Sequence, residues 1–197
     1  MRRVLAWLAI SLVLLGILVP VAALAFSVRV QGDSMSPTLQ DGDRMLLAFW
    51  DRDDVERFDL VDAGLGQSGV RVVKRVIAMP GDEVAVAPVT GDEPRVFLRP
   101  AGESQVYRVV NPTWTGRVGQ STNACCSEQG QVSDKRQWVT VPEDSYWLLG
   151  DNWGGSEDSR NFGFASADDI SGRLDLRLRP LDDFGTVDDP AGLEPVD

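Results

Sequence analysis

The chain begins with a long stretch that carries no charge. Residues 4–26 are uncharged and mostly aliphatic. As a helix this stretch is about 34 Å long, enough to cross the roughly 30 Å hydrocarbon core of a bilayer. Arg2 and Arg3 precede it, and positive charges tend to stay on the cytoplasmic side. The sequence therefore predicts a transmembrane anchor with a cytoplasmic N-terminus and all later residues on the opposite side.

The same stretch has a second interpretation, a secretory signal that is removed after export. Ala23, Leu24 and Ala25 have the small-x-small form of a cleavage site. The apolar stretch is longer than the roughly 7 to 15 residues typical of such signals, which favours the uncleaved anchor. Both interpretations export the remainder of the chain.

The charge of the chain excludes one class of partner. The formal net charge is −11, with 30 acidic and 19 basic residues. Nucleic-acid binding needs a basic face for the phosphates, so we expect no nucleic-acid partner. For the same reason, we expect any contact with an anionic lipid surface to be apolar rather than electrostatic.

The chain contains no histidine, which limits how a nucleophile can be activated. A serine needs a base within hydrogen-bonding reach, and the usual alternative to imidazole is a lysine with a lowered pKa. Only two lysines exist, Lys74 and Lys135. The candidate nucleophile is Ser34, in a polar, turn-like segment at residues 32–39.

Lys74 lies within residues 70–78, a β-branched run that ends at a turn signal. Strand alternation places only apolar residues on the face that carries Lys74. An ammonium among apolar neighbours has a lowered pKa, so Lys74 is the candidate general base. The alternative is a lysine whose side chain extends from a half-buried strand into solvent.

Strand and turn signals predict a mainly β protein behind the transmembrane helix. Short β-prone pieces between Pro, Gly and Asp predict a small β insertion, and the acidic C-terminal end predicts a disordered tail. We expect five parts. They are a cytoplasmic N-terminus (residues 1–3), the anchor (4–26), a catalytic β domain in two halves (27–82 and 139–181), the insertion (83–138) and the tail (182–197).

Two pairs of residues allow more than one interpretation. Phe49 and Trp50 follow an apolar strand, which favours a place in the core, with insertion into the lipid interface as the alternative. Cys125 and Cys126 are adjacent, which allows a strained vicinal disulfide, a bond to another chain or two thiols. Two cysteines without histidine do not make the usual zinc site. We expect no metal and no other cofactor.

Three sequence motifs follow the anchor in order. They are Gly32-Asp33-Ser34-Met35-Ser36-Pro37-Thr38-Leu39 with Asp41-Gly42-Asp43, then Lys74-Arg75-Val76-Ile77-Ala78-Met79-Pro80-Gly81-Asp82, then Gly150-Asp151-Asn152 with Ser156, Asp158-Ser159-Arg160 and Phe162-Gly163. Together they resemble the bacterial type I signal peptidases (leader peptidases), membrane-bound Ser-Lys endopeptidases that remove signal peptides from exported proteins. The resemblance spans nearly the whole chain.

The resemblance implies a fold, a location and partners. The fold would be a mostly antiparallel β catalytic domain with a smaller β insertion, behind one anchor in the bacterial cytoplasmic membrane. The catalytic domain would lie on the extracytoplasmic side. The partners would be the signal peptides of preproteins and the lipid bilayer. The oligomeric state stays open.

The resemblance also implies roles for single residues. Ser34 would attack the scissile carbonyl and offer its backbone N–H to the oxyanion, with Lys74 as general base. Ser156 would hydrogen-bond and orient the lysine. Support of the surrounding loop is implied for Asp151, Asp158 and Arg160.

Substrate contacts follow from the same resemblance. Where the family has a serine hydroxyl as second oxyanion donor, this chain has Gly32 and so lacks the hydroxyl. Four residues match positions that line shallow apolar pockets, which implies small side chains at the first and third positions before the cut (Ala-x-Ala): Val28, Val30, Met35 and Val73. Trp153 replaces a polar residue of the family, and we hypothesise that it faces the membrane.

Three other protein classes compete with this interpretation. The self-cleaving repressors of the bacterial DNA-damage response have a similar Ser-Met segment and lysine, but they are soluble, carry a DNA-binding domain and lack the third motif. An inactive membrane-anchored β module that binds exported chains would not need Ser34, Lys74 and Ser156 together. A specialised peptidase for one secretion or conjugation substrate stays open.

Overall fold

The structure is a computed structural model that describes residues 2–66, 69–90, 93–114, 124–125, 132–133 and 137–196. Its N-terminal helix α1 (Arg2–Ala25) has no buried residue and a mean hydropathy of 2.7 over its most apolar window. By length and composition, α1 can cross a membrane.

The helix joins the rest of the protein without a linker. Strand β1 (Ser27–Arg29) begins two residues after α1 ends. The Ser27 hydroxyl donates to the carbonyl of Leu24 over 2.7 Å, and the Leu47 N–H donates to the carbonyl of Phe26 over 2.8 Å. Hydrogen bonds therefore fix the end of the helix to the first strands.

The remaining described residues form three sheets in which every described strand pair is antiparallel. The first sheet contains, in order, β1, β2 (Arg44–Leu46), β14 (Leu176–Arg179) and β15 (Gly185–Thr186). The second contains, in order, β12 (Ala165–Ser166), β11 (Ser145–Leu149), β4 (Val70–Ala78), β3 (Leu60–Leu65) and β13 (Ile170–Arg173). The expected mainly β, mostly antiparallel fold is confirmed.

The third sheet contains the strands of the segment expected as an insertion, together with two strands from outside it. In order across the sheet, the strands are β16 (Gly192–Pro195), β7 (Tyr107–Val110), β6 (Glu93–Arg99), β5 (Glu83–Thr90), β8 (Ala124–Cys125) and β9 (Val132–Ser133). Strand β10 (Val139–Thr140) also pairs with β5. The backbone of Cys125 lies in β8, whereas Cys126 lies outside the described residues, so the alternatives for the cysteines stay open.

The prediction of a disordered tail is wrong. Strand β16 pairs with the edge strand β7 over four residues. Leu193 packs against the core of the molecule, and the Glu194 carboxylate accepts a 2.7 Å hydrogen bond from Arg108. Composition alone missed these contacts because backbone pairing with a free strand edge does not require an apolar sequence.

The core of the catalytic part lies directly beneath the Ser34 segment. One apolar cluster joins Met35 and Leu39 to Met45 of β2 and Val73 of β4. Met35 is 1% exposed and Leu39 is fully buried. The two apolar side chains of the segment therefore fix a loop whose other residues are polar.

The prediction that Phe49 and Trp50 belong to the core is wrong. They lie in a short 3-10 helix (Phe49–Asp51) with side chains that are 47% and 59% exposed. The Phe49 ring contacts both Phe26, tilted at a centroid distance of 5.4 Å, and Trp50, edge-on at 5.0 Å. These three residues, here called the aromatic patch, are exposed at the point where α1 ends.

Candidate active site

Ser34 lies in the loop between β1 and β2. Gly32 begins the turn with φ +77°, a left-handed conformation that glycine adopts without a steric penalty. Its N–H donates to the Asp41 carboxylate over 2.8 Å. The Ser34 backbone N–H makes no internal hydrogen bond to the described residues and is free to bind an oxyanion.

Lys74 lies in the buried middle of β4 and points towards Ser34. Its ammonium is 2.7 Å from the Ser34 hydroxyl oxygen and donates a second hydrogen bond of 3.1 Å to its neighbour's carbonyl, that of Val73. Lys74 is only 2% exposed. The alternative of a lysine that extends into solvent is therefore wrong.

Burial lowers the pKa of Lys74 below its ordinary value. The charges of Asp158, Asp151 and Glu157 oppose this shift, and the charge of Arg160 adds to it. None of the carboxylates in the described part of the chain forms an ion pair with Lys74. Burial thus shifts Lys74 towards the neutral amine that a general base requires.

Arg75, the next residue of β4, is also buried, but it is paired with carboxylates. Arg75 is 1% exposed and forms a bidentate pair with the fully buried Asp151, at 2.9 and 2.7 Å. A further guanidinium nitrogen donates to Asp189 of the tail over 2.7 Å and to the carbonyl of Phe58 over 2.8 Å. Burial disfavours the charge of Arg75, but its bonds with Asp151 and the charges of Asp151 and Asp189 raise its pKa.

Asp151 connects this arginine to the nucleophile loop. It accepts a 2.5 Å hydrogen bond from the Thr38 hydroxyl and a 3.1 Å bond from the Asn111 amide. The next residue, Asn152, donates its backbone N–H to the carbonyl of Ser34 over 2.9 Å. The loop that carries Ser34 is thus fixed from the Asp151 side.

The two other residues expected to support the loop also form a pair. Arg160 binds Asp158 through two nitrogens, at 2.8 and 2.9 Å, and both side chains are almost fully buried. Asp158 also accepts a 3.0 Å hydrogen bond from the backbone N–H of Gly150. This pair closes the segment that runs from Gly150 to the short helix α2 (Ser159–Phe162).

The hypothesis that Trp153 faces the membrane is wrong, because its side chain is fully buried. The Arg160 guanidinium stacks 4.2 Å from the centroid of its ring, and the ring of Trp114 lies 5.3 Å away. An indole beside a polar loop can pack on a paired guanidinium. No local pattern around Trp153 predicts this contact.

Ser156 does not make the expected hydrogen bond to Lys74. Its hydroxyl oxygen is buried and has no hydrogen-bond partner in the described part of the chain. It does lie near the nucleophile loop, since a Cβ at Gly150 would be 2.2 Å from the Ser156 hydroxyl and 2.5 Å from the carbonyl oxygen of Ser34. A side chain at position 150 would therefore separate the two serines.

A cleft of about 230 Å³ opens beside the Ser34 and Lys74 side chains. Of the four residues expected to line substrate pockets, three lie on its wall: Val28, Val30 and Val73. The fourth, Met35, packs in the core. Sequence reasoning missed five further wall residues. Two of them, Asp62 and Arg71, form a 2.7 Å ion pair, and the other three are Arg29, Gln31 and Val72.

Comparison with known proteins identifies the family of this chain. Residues 1–179 match the family model described as signal peptidase, peptidase S26. A signal peptidase I from Streptococcus pneumoniae is 31% identical over 177 residues, covering 81% of this chain and 85% of the relative. One from Bacillus caldolyticus is 32% identical over 164 residues, covering 79% and 80%.

A solved structure was also found. It is a signal peptidase I from Enterococcus faecalis, 26% identical, with a TM-score of 0.39; the match covers 61% of this chain and 96% of that one. The family match and the two curated relatives decide the assignment, and the resemblance seen in the motifs is confirmed. The chain belongs to the signal peptidase family S26 and is a serine endopeptidase.

Proposed function

We propose that this peptidase removes N-terminal signal peptides from exported preproteins, with Ser34 as nucleophile and Lys74 as general base. The observation that carries the proposal is the 2.7 Å contact between the Ser34 hydroxyl and a buried lysine that forms no ion pair with the described residues. In a chain that has no histidine, a buried amine is the group that can activate a neighbouring serine hydroxyl as a nucleophile.

The proposed reaction starts from the neutral form of Lys74. As the Ser34 oxygen attacks the scissile carbonyl, the Lys74 amine takes the hydroxyl proton, and it then gives this proton to the leaving amine. The products of this half-reaction are a Ser34 ester and the released mature protein. Water attacks the ester and Lys74 accepts the water proton. Lys74 then gives this proton to the departing Ser34 oxygen, which restores the hydroxyl and the neutral amine, and the signal peptide leaves with its new carboxyl group.

The oxyanion formed at each stage would accept a hydrogen bond from the Ser34 backbone N–H, which has no internal partner. Gly32 supplies no hydroxyl at the position of the family's second donor. Removal of one oxyanion donor typically costs about 10²- to 10³-fold in rate. The backbone N–H is therefore assigned the main electrostatic role.

The cleft supports a preference for small side chains before the cut. A substrate would bind as an extended strand, because the cleft lies between the backbones of β1 and β4. Val28, Val30 and Val73 belong to the apolar part of its wall. Such a pocket discriminates by about 1–3 kcal/mol per methylene, which favours Ala-x-Ala sites.

The location proposed for the domain is the extracytoplasmic face of the membrane. Arg2 and Arg3 at the start of α1 support a cytoplasmic N-terminus. The aromatic patch supports contact of the domain with the lipid interface, since exposed Trp and Phe rings are typical of that layer. Both features support a position of Ser34 near the membrane surface, where signal peptides end.

The test is cleavage of a preprotein with an Ala-x-Ala site by the full-length protein in detergent. We expect wild type to cut at that site, and Ser34→Ala and Lys74→Ala to be inactive. Ser36→Ala and Lys135→Ala are the matched controls and should stay active. If folded wild type does not cut, a specialised peptidase or a binding module is the better interpretation; cleavage that survives Lys74→Ala would reject the assigned base.

A further inference from the structure

Most arginines of this acidic protein are paired with a carboxylate. Within the described residues, ion pairs are formed by Arg52, Arg57, Arg71, Arg75, Arg99, Arg108, Arg160, Arg173 and Arg177. Three arginines of the first sheet differ: among the described residues, none of Arg29, Arg44 and Arg179 has a carboxylate within ion-pair distance. Carboxylates are abundant in this chain, so the lack of pairing in this sheet needs a physical reason.

The three arginines are direct neighbours across strands. In the antiparallel register, Arg29 of β1 lies opposite Arg44 of β2, and Arg44 lies opposite Arg179 of β14. Residues that are directly opposite point to the same face of a sheet, and like charges in this position destabilise the pairing. The nearest carboxylate in sequence, that of Asp43, pairs instead with Arg177 at 3.2 Å. The row thus concentrates uncompensated positive charge.

The row lies where the transmembrane helix meets the domain. Arg44 and Arg179 line an open cavity of about 470 Å³, together with Leu24 and Ala25 of the last turn of α1. Arg44 uses one nitrogen to donate to the Ser27 hydroxyl over 2.7 Å. The side chain of Arg179 makes no hydrogen bond to the described residues and is exposed. One wall of the cavity is therefore cationic and the other is apolar helix.

We propose that Arg44 and Arg179 bind the phosphate of an anionic phospholipid at the end of α1, with Arg29 adding to the field. Guanidinium groups bind phosphate oxygens through paired hydrogen bonds. The apolar wall formed by Leu24 and Ala25 suits the glycerol and upper acyl region of a lipid. With α1 in a membrane, the cavity lies at the level of the headgroups. A lipid there can enter the cavity and neutralise the charges of Arg29, Arg44 and Arg179.

This proposal corrects the expectation drawn from composition. A net charge of −11 suggested that contact with anionic lipid would be apolar. The charge is unevenly distributed, however, and the surface next to the anchor carries unpaired cations. The proposal depends on α1 lying in a membrane and does not depend on the peptidase reaction.

A competing explanation is that Arg44 and Arg179 only stabilise the C-terminal end of α1. Cations near the last turn of a helix interact favourably with its unpaired carbonyls. The two explanations predict opposite signs for stability. If the arginines are helix caps, their neutralisation lowers the melting temperature; if they form an unfilled anion site, neutralisation without lipid leaves it equal or raises it.

The experiment compares the full-length protein with Arg44→Gln/Arg179→Gln. The control is Arg99→Gln/Arg108→Gln, which removes two charges from the third sheet. Retention of phosphatidylglycerol and of phosphatidylcholine is measured by native mass spectrometry from neutral detergent, with and without excess inorganic phosphate. Melting temperatures are measured in lipid-free detergent. Arg29 is left intact because it also lines the substrate cleft.

We expect wild type and the control to retain phosphatidylglycerol over phosphatidylcholine, and Arg44→Gln/Arg179→Gln to retain it about 30-fold less. The melting temperature of Arg44→Gln/Arg179→Gln in lipid-free detergent should equal or exceed that of wild type. Equal retention by this variant and wild type, or a lower melting temperature, would overturn the proposal. Displacement of the lipid by inorganic phosphate would show a site for free anions instead.

Discussion

Lys74 and Arg75 are adjacent cations in the same buried strand, yet their surroundings are opposite. Lys74 has no ion-pair partner in the described part of the chain and contacts a serine hydroxyl and one carbonyl. Arg75 contacts two carboxylates and one carbonyl. Strand alternation directs the two side chains to opposite faces of β4. One strand therefore supplies a cation that can lose its proton and another that cannot.

The difference in surroundings explains why position 74 has a lysine and position 75 has an arginine. An amine in a desolvated site shifts towards its neutral form, which is the form that accepts a proton. A guanidinium stays charged in proteins and binds a carboxylate through two parallel hydrogen bonds. The buried charge of Arg75 is stable only because Asp151 and Asp189 accompany it. Lys74 is suited to proton transfer and Arg75 to holding loops.

The largest expected effect comes from replacing Lys74 with arginine, the residue type of its neighbour in β4. Lys74→Arg keeps a cation at the position but removes a group that can act as a base, so kcat/KM should fall at least ~10²-fold. Cleavage of a preprotein by the full-length protein gives this value, and a melting curve checks the fold. A folded Lys74→Arg protein with near-normal activity would contradict the distinction between the two cations.

Asp151→Asn should produce the next largest effect. It breaks the bidentate pair and leaves the Arg75 charge buried with only the tail carboxylate, at a cost of about 3–5 kcal/mol in the free energy of unfolding. Urea unfolding measures this cost. Asp188→Asn is the matched control, because Asp188 is exposed and forms no ion pair with the described residues. Equal stability of the two variants would show that the Arg75 pair is not structural.

The pH dependence of Lys74 should be intermediate in size. Because its folded pKa is lowered, activity should rise as pH increases through that pKa. Between the lowered folded pKa and the unfolded value of about 10.4, the unfolded state binds more protons, so stability also rises with pH. Lys74→Met removes the free-energy cost of burying the ammonium, so this variant should be more stable than wild type at low pH. The difference should shrink towards pH 10.

A flat activity profile between about pH 6 and 10 would remove Lys74 as the base. A stability difference between wild type and Lys74→Met that does not change with pH would show that the lysine is not desolvated. Lys135→Met serves as the control for removal of a lysine. Preprotein cleavage and urea unfolding at a series of pH values provide the two measurements.

The smallest expected effect comes from the tail. Asp189 is 43% exposed at its side chain, and its pair with Arg75 is the outer of the two. Asp189→Asn should cost about 0.2–1 kcal/mol in the free energy of unfolding and should leave most activity. Urea unfolding beside the Asp188→Asn control measures it. A cost as large as that of Asp151→Asn would mean that both carboxylates hold Arg75 equally.

Short-range patterns in the sequence predicted much of the site. The β-branched run around Lys74, the lack of histidine and the polar segment around Ser34 led to the two residues that the structure brings within 2.7 Å. The resemblance to the signal peptidase family likewise led to three residues of the cleft wall. The first two residues depend on local patterns, which a single sequence contains, whereas the wall residues depended on the family.

The missed features depend on contacts between distant parts of the chain. Asp151 was expected to support its own loop, but its pairing with Arg75, which is 76 residues away, and with Thr38 has no local signal. The burial of Trp153 depends on Arg160 and Trp114, and the order of the tail depends on the free edge of β7. Neither composition nor periodicity contains this information.

The direct junction between α1 and β1 has a consequence for where a substrate is cut. A flexible linker would let the domain swivel and would let Ser34 reach many depths. Here the helix ends at Ala25, the strand begins at Ser27, and hydrogen bonds bind the two together. With α1 in the bilayer, this junction would hold Ser34 at one height above the membrane surface.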